Sequence, residues 1–243
     1  MRVSTEALLM LVAIALYLFD SSLFLASDEA VLIRGRRGRW LAQVGLDRWR
    51  LAGKEPCLPN PATPHLPLFK LRWRFDESTA AVPAPLRPVA VPPELEPFRL
   101  HALLSLVCLF VLLPASLFYP QGVEYPIAVV ALLYANIVVA LLRLFRRRAA
   151  FGLSAAQFAG LAFECAACAP FSINLVRKLC ARLEVDEDFV RAARRLLPAE
   201  ALPAVHAQCL RRLDEQIDYA AEGTARMESL VSGRGRFLGS EWR

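Results

Sequence analysis

The residues best suited to chemistry are two pairs of metal-binding or redox-active side chains. Cys165 and Cys168 lie three residues apart in ECAACAP, and His206 and Cys209 have the same spacing in VHAQC. Side chains at i and i+3 share one face of a helix, so each pair can supply two ligands to zinc or iron. The four would complete a Cys3His site if the last helix folded back on the helix that contains Cys165. Alternatively, the cysteine pair could act as a dithiol.

Close packing of helices explains the same small residues without any ligand. The 37 residues between the two pairs match no familiar zinc-binding spacing, and two ligands do not close a zinc site. The chain also contains no Gly-rich phosphate loop and no serine in a nucleophile-elbow motif. We therefore expect packing cysteines, no cofactor and no catalysis, and we keep a zinc or iron site as the alternative.

A cationic surface is the second candidate site. In FKLRWRF, from 69 to 75, apolar side chains alternate with Lys70, Arg72 and Arg74. Period two predicts a strand with one apolar and one cationic face. The complete basic face comprises Arg36, Arg37, Arg39, Arg48, Arg50, Lys70, Arg72 and Arg74. Attraction to anionic lipid headgroups is the simplest interpretation. A phosphate-bearing ligand is the alternative, and nucleic acid is not expected.

The chain that positions these residues is largely apolar, with 56% hydrophobic residues. Its apolar stretches at 7–19, 101–119 and 126–145 approach or reach the roughly 20 residues that cross a bilayer. We assign 1–26 to a first transmembrane span and 101–145 to a hairpin of spans two and three. The predicted fold class is a membrane protein with about three α-helical spans, a small cytoplasmic β module and a cytoplasmic α-helical C-terminal part.

Asp20 and Asn136 are the polar residues of these spans that could be functional. A carboxylate at membrane depth is a functional candidate. Asp20, however, lies near the predicted cytoplasmic end, where water and the arginines at 143–148 can reach it. Asn136 lies near the small residues Ala131 and Ala135 and is expected to form a hydrogen bond between helices.

The distribution of basic residues predicts the orientation. The segment 27–100 contains twelve Lys and Arg, the turn at 120–125 contains none, and RLFRRR ends the third span. By the positive-inside rule both long segments face the cytoplasm. A fourth span at 151–176 would carry further basic residues outside, so we expect a membrane-surface helix there. The expected location is the bacterial inner membrane, with several passes, the N terminus outside and the C terminus in the cytoplasm.

The segment before the hairpin divides into strands and a connector. AVLIRGRRGRWLAQV (30–44) predicts a β-hairpin, and DRWRLAG (47–53) predicts a third strand. Five prolines between 55 and 67 predict a loop. The β module spans 27–79, and a stiff proline-rich connector occupies 80–100. A module this small has a thin core, so it should pack on the C-terminal part or on another protein.

Helices are predicted after the third span, in a cytoplasmic region that covers 146–231. Ser154 and Gln157 form a capping-box signature at the start of the first. Ser172 and Asp186 are the predicted caps of the next two.

The last predicted helix runs from about 202 to 231 and carries an apolar seam. Its members follow alternating steps of three and four: Leu210, Leu213, Ile217, Ala220, Thr224, Met227 and Val231. Such heptad spacing predicts burial against a helix of this chain or of another subunit. Residues 232–243 are rich in glycine and predict a flexible tail.

These features predict an interaction platform without catalysis of its own. The leading hypothesis is an accessory or assembly subunit, a scaffold that binds membrane lipids and other protein subunits of a larger membrane complex. One alternative is a membrane-bound metal or thiol protein that uses the CxxC and HxxC pairs. A second alternative is a sensor that binds anionic lipid or a phosphate ligand on the basic face.

Overall fold

The computed structural model describes residues 5–44, 54–73, 87–118, 122–219 and 225–239, and these residues are mostly helical with a small β part. They form two compact units. Unit 1 comprises Met1–Ser22, Leu58–Pro67 and Val91–Leu183, and unit 2 comprises Leu23–Cys57, Leu68–Ala90 and Glu184–Arg243. The predicted cytoplasmic helical region at 146–231 is therefore divided between the units.

The helices are α1 (Thr5–Ser21), α2 (Glu96–Val107), α3 (Leu113–Phe118), α4 (Glu124–Arg147), α5 (Ala155–Ala167), α6 (Leu175–Cys180), α7 (Phe189–Leu196), α8 (Leu202–Tyr219) and α9 (Ala225–Gly239). The strands are β1 (Leu23–Leu25), β2 (Glu29–Arg34), β3 (Trp40–Gln43), β4 (Glu55–Cys57) and β5 (Leu68–Arg72). The helices α1 to α6 belong to unit 1, and the described strands belong to unit 2 together with α7 to α9.

Two helices of unit 1 are long and apolar enough to cross a membrane. One runs from Pro93 to Leu117 and the other from Glu124 to Phe151; we call them the 93–117 helix and the 124–151 helix. A π-helical turn at Cys108–Leu112 joins α2 to α3. Pro114 follows this turn and lacks the N–H that a regular α-helix would direct at Phe110, which accounts for the irregularity.

The other predicted spans differ from the two apolar helices. The first predicted span contains α1, which has 17 residues in the described part of the chain, fewer than the roughly 20 that cross a bilayer. The helix α5 has 13 residues, so it is about 20 Å long and too short to be a fourth span. Gly152, with φ 63°, separates α5 from the 124–151 helix.

Unit 2 contains a three-stranded antiparallel sheet in the order β3-β2-β5 and a separate β1-β4 pair. The predicted hairpin is confirmed, because Val31 pairs with Gln43 and Arg34 pairs with Trp40. The predicted third strand at 47–53 lies outside the described residues. The predicted loop at 55–67 begins instead with β4, which has only three residues and pairs with β1.

Both faces of the three-stranded sheet contribute to the core of unit 2. On one face Val31 and Leu68 are buried in a cluster with Leu25 and Cys57. Beyond the end of β5, the buried Trp73 ring lies 5.6 Å from the ring of Phe189 in α7. Full burial of each such side chain contributes about 1.5–3 kcal/mol. The thin β module thus packs on the C-terminal part, as its size led us to expect.

The helix starts were predicted in part. The Ser154 and Gln157 capping box is confirmed, with both reciprocal hydrogen bonds present. Ser172 does not cap α6; it lies in a 3-10 turn, and its hydroxyl donates to Ala169 O and contacts Ser105. Asp188, and not Asp186, caps α7 by accepting from the N–H of Val190.

The C-terminal end differs from the single helix predicted at 202–231. Two helices, α8 and α9, are described, with residues 220–224 outside the described part, and the two helices contact each other. The helix α9 extends to Gly239. The described part of the predicted tail at 232–243 is therefore helical, because glycine weakens a helix without forbidding it.

Candidate functional site

Asn136 is the centre of a buried polar network between the 93–117 and 124–151 helices. Its amide nitrogen donates to His101 O at 3.0 Å and to Ser105 Oγ at 2.9 Å. Its amide oxygen lies 2.6 Å from His101 Nδ1. Ser172 extends the network, because its Oγ lies 3.1 Å from Ser105 Oγ. Asn136 therefore forms the helix-to-helix hydrogen bonds that its position predicted.

The partners of His101 fix the position of its proton. Arg143 Nη1 lies 3.1 Å from His101 Nε2, and a guanidinium can only donate, so Nε2 is the acceptor. Nδ1 then carries the hydrogen and donates to the Asn136 amide oxygen. This neutral tautomer satisfies both ring nitrogens, and Arg143 becomes part of the same network.

A small cavity adjoins this network. Its volume is about 10 Å³, and its polar lining comes from His101, Ser105, Asn136 and Ser172. This space is about the size of one water molecule. The cavity is too small for a substrate. The network joins the two helices by hydrogen bonds.

Asp20 belongs to a second polar cluster of unit 1. Its carboxylate lies 2.9 Å from Lys178 Nζ and accepts a hydrogen bond of 2.9 Å from the Asn174 amide. Lys178 also lies 2.9 Å from a carboxylate oxygen of Glu164. We had expected the arginines at 143–148 to reach Asp20. The cation that the structure places there is Lys178, on α6.

The candidate metal ligands fall in two different units. Cys165 and Cys168 belong to unit 1, whereas His206 and Cys209 belong to unit 2. Among the residues that the structure describes, no group of three or more His, Cys, Asp or Glu side chains could hold a metal ion. The alternative Cys3His site thus has no support in the described part of the chain.

Burial also affects the protonation of three of these thiols. Burial raises the pKa of Cys165 to about 11 and raises the pKa of Cys209 above its ordinary range. Burial is likewise the main reason why the pKa of Cys168 is raised. A thiolate is the form that binds metal or attacks a disulfide. Without a bound metal these thiols are protonated at neutral pH.

Two members of the basic face, Lys70 and Arg72, are paired with a carboxylate of the β module. Glu29 Oε2 lies 2.6 Å from Lys70 Nζ, and Glu29 Oε1 lies 3.3 Å from Arg72 Nε. Lys70 also donates to Phe24 O at 3.0 Å. The strand does alternate as predicted, but these cations share a sheet face with buried Val31 and Leu68. They do not lie on a separate cationic face.

The other members of the basic face divide into two groups. Arg37 and Arg39 are exposed beside the β2–β3 turn. Arg48, Arg50 and Arg74 lie outside the described residues, as does the side chain of Arg36.

Glu29 is the residue that the sequence analysis missed in this surface. Burial alone would raise the pKa of its carboxyl group, but hydrogen bonds from Ala26 N–H and from Lys70, with smaller help from Arg72, hold the pKa below its usual value. Glu29 is therefore a buried anion that orders two basic side chains.

The apolar seam of the last predicted helix is only partly buried. Leu213 is fully buried, Leu210, Ile217 and Met227 are half-buried, and Val231 is 49% exposed. Ala220 and Thr224 lie outside the described residues. The α8 end of the seam thus packs inside unit 2, whereas Val231 is available at the surface.

A pocket at the end of α4 is a further site that the sequence analysis did not identify. Its volume is about 440 Å³, and it is lined by Pro97, Phe98, Arg143, Arg146 and Arg147. The arginines occur in RLFRRR at i, i+3 and i+4, a spacing that puts them on one helix face. That spacing was the available signal, but we had used the arginines only to predict orientation.

Comparisons with protein families, curated proteins and solved structures give no match for this chain.

Proposed function

We propose that this chain is a non-catalytic integral membrane protein that acts as an accessory or assembly subunit of a larger membrane complex. The observation that carries the proposal is the exposure of its most apolar helices. Only 28% of the most apolar window of the 93–117 helix is buried, and the same fraction holds for the 124–151 helix. A core helix of a water-soluble domain would be buried mostly or entirely.

The chemical character of the two sides of α4 supports a lipid environment. Its polar residue Asn136 is buried, whereas Ile127, Val138 and Leu142 are between 53% and 62% exposed. In water this arrangement would be reversed, because apolar surface avoids water. In a bilayer it is favourable, since the polar groups are satisfied between helices and the apolar groups face lipid.

The helix α1 supports a third span in this proposal. Leu8, Leu9 and Leu11 are between 54% and 65% exposed, although they lie in an uninterrupted apolar sequence. With 17 residues α1 is slightly short for a span, a mismatch that a bilayer accommodates at modest cost. With Arg146 and Arg147 at the cytoplasmic end of α4, three spans place the N terminus outside.

The role as a platform is supported by the pairing of polar groups within unit 2. Glu187 accepts from Arg195 at 2.7 Å and from the backbone N–H of Val89 at 2.7 Å, and Glu55 is paired with Arg212. These groups hold the unit together. Tyr219, which is 80% exposed, and Val231 offer apolar contacts for a partner helix.

Native mass spectrometry of the protein, extracted in mild detergent from its own membrane, tests this function. We expect the metal-free chain together with a second protein in a fixed ratio. The double variant Cys165→Ser, Cys168→Ser should retain the same partner and ratio, because the thiols only pack. A bound zinc or iron atom that is lost in the variant, or a chain without a partner, would contradict the proposal.

A further inference from the structure

We propose that the pocket at the end of α4 binds the phosphodiester headgroup of an anionic phospholipid. The inference adds a ligand site to the proposed function, and it rests on the membrane location proposed there. Three arginines line this pocket, namely Arg143, Arg146 and Arg147.

The three guanidiniums have no acidic partner in the described part of the chain. Arg143 donates to the imidazole of His101, at 3.1 Å. No ion pair joins Arg146 or Arg147 to a described carboxylate, whereas the nearby Arg99 is paired with Glu96 at 2.7 Å. Unpaired guanidiniums that converge on one cavity repel one another, and an anion in the cavity removes that repulsion.

The chemistry of the lining favours a phosphodiester. Guanidinium groups bind phosphate oxygens with two parallel N–H donors each, and they keep their charge at all physiological pH values. Pro97 and the fully buried Phe98 complete the lining. The volume of about 440 Å³ exceeds the needs of a single phosphate ion.

The position of the pocket favours lipid over a soluble phosphate compound. Its arginines follow the apolar sequence of α4 within one turn, at the depth where headgroups lie if α4 spans the bilayer. Basic pockets at the cytoplasmic ends of spans are a recurrent means of binding anionic headgroups. Arg148, whose guanidinium lies 5.1 Å from the centre of the Phe145 ring, does not line the pocket.

The test uses the full-length protein in nanodiscs of phosphatidylcholine to which phosphatidylglycerol is added in steps. Native mass spectrometry counts retained phosphatidylglycerol molecules. The double variant Arg146→Gln, Arg147→Gln keeps the Arg143 contact to His101, so it should fold. We expect its apparent affinity for phosphatidylglycerol to fall about thirtyfold, since each basic residue near anionic lipid contributes on the order of 1 kcal/mol.

The control variant is Arg194→Gln, Arg211→Gln, which removes the same charge from exposed positions of α7 and α8. An equal loss of lipid in this control would overturn the pocket assignment, as would equal retention of phosphatidylcholine by the native chain. Displacement of the bound lipid by millimolar inorganic phosphate would assign the pocket to soluble anions instead.

Carbonate extraction of native membranes separates this inference from the proposed function. A chain that stays in the membrane but binds phosphatidylglycerol no better than phosphatidylcholine contradicts only the pocket. A chain that is released by carbonate contradicts the membrane location, and the lipid assignment fails with it.

Discussion

The ion pair between Glu55 in β4 and Arg212 in α8 is almost fully buried, with side chains 6% and 2% exposed. Removal of one partner from such a pair leaves a charge in the interior and costs about 3–5 kcal/mol, whereas replacement of both by apolar residues is often neutral. We therefore expect Arg212→Met to destabilise unit 2 by about this amount. The double variant Arg212→Met, Glu55→Met should recover most of the loss.

Hydrogen exchange of the full-length protein in detergent measures this difference, because amide protection in β4 and α8 reports the local opening free energy. Arg194→Met, at an exposed position of α7, is the matched control and should change protection little. A double variant that is as unstable as Arg212→Met would show that the loss does not come from an unpaired Glu55 carboxylate.

Glu29 should make the stability of unit 2 depend on pH in the acid range. Its folded-state pKa lies below the ordinary value of 4.5, so the unfolded chain takes up the proton more readily. The stabilisation is fully present above pH 4.5 and is lost as the pH falls through the folded pKa. Glu29→Gln should cost about 1–2 kcal/mol at neutral pH and flatten the acid loss.

Thermal unfolding of the native chain and of Glu29→Gln between pH 7 and pH 3 checks this expectation. Glu200→Gln, at an exposed position, serves as the control. If the acid dependence of Glu29→Gln equals that of the native chain, other carboxyl groups cause it.

The residue types on β5 could be predicted from the sequence, but their partners could not. The alternation of apolar and basic residues predicted that Phe69 and Leu71 are buried and that Lys70 and Arg72 are exposed, as the structure shows. The pairing of Arg72 with Glu29 depends on the register between β5 and β2, which are 43 residues apart at this point. No local pattern specifies that register, so the basic side chains looked free when they are paired.

At the scale of elements, the sequence predicted a helix cap that is formed by neighbouring residues. It did not predict hydrogen bonds between residues that are far apart in the chain. The Ser154 capping box is formed within four residues and was visible in the sequence. Asp186 looked like an equally good cap, but its carboxylate accepts from the backbone N–H of Arg87, 99 residues away. Asp188 then caps α7. Asp188 was not predicted as a cap, because the distant backbone donor that engages Asp186 leaves no local signal.

The helical hairpin of α2 and α4 depends on Asn136, which forms three hydrogen bonds to α2. Asn136→Leu removes them and inserts a branched apolar group beside the Ser105 hydroxyl. Hydrogen bonds between helices in a bilayer contribute about 1–2 kcal/mol at most. We expect Asn136→Leu to lower the stability of the hairpin by about this amount.

Unfolding in mixed micelles of mild detergent and dodecyl sulfate measures the loss. Val138→Leu, at an exposed position on the same helix, is the control and should be neutral. Equal stability of the two variants would mean that packing of small residues, and not the polar network, joins the helices.

At the scale of the whole molecule, each of the two units is built from segments that are separated along the chain. Residues 58–67 belong to unit 1, although both flanking segments belong to unit 2. Arg177 holds this loop by donating to Asn60 O at 2.7 Å and to Thr63 O at 3.1 Å, and the Tyr17 hydroxyl donates to Pro61 O. The five prolines predicted a loop but carried no information about which helices would bind it.

The number of spans determines where the N terminus lies, and it is therefore the decisive test of the membrane proposal. Three spans place Glu6 and Val123 outside and Glu200 inside, whereas two spans place Glu6 on the side of Glu200. We expect Glu6→Cys and Val123→Cys to react with an impermeant maleimide in intact cells. Glu200→Cys should react only after permeabilisation.

The native chain is the control for this labelling, because Cys57, Cys108, Cys165, Cys180 and Cys209 are buried and Cys168 is half-buried. Its background should be low in intact cells. Labelling of Val123→Cys without Glu6→Cys would remove α1 from the membrane and leave the two apolar helices as a simple hairpin. Labelling of Glu200→Cys in intact cells would invert the orientation, and the arginines at the end of α4 would then face outside, against the positive-inside rule.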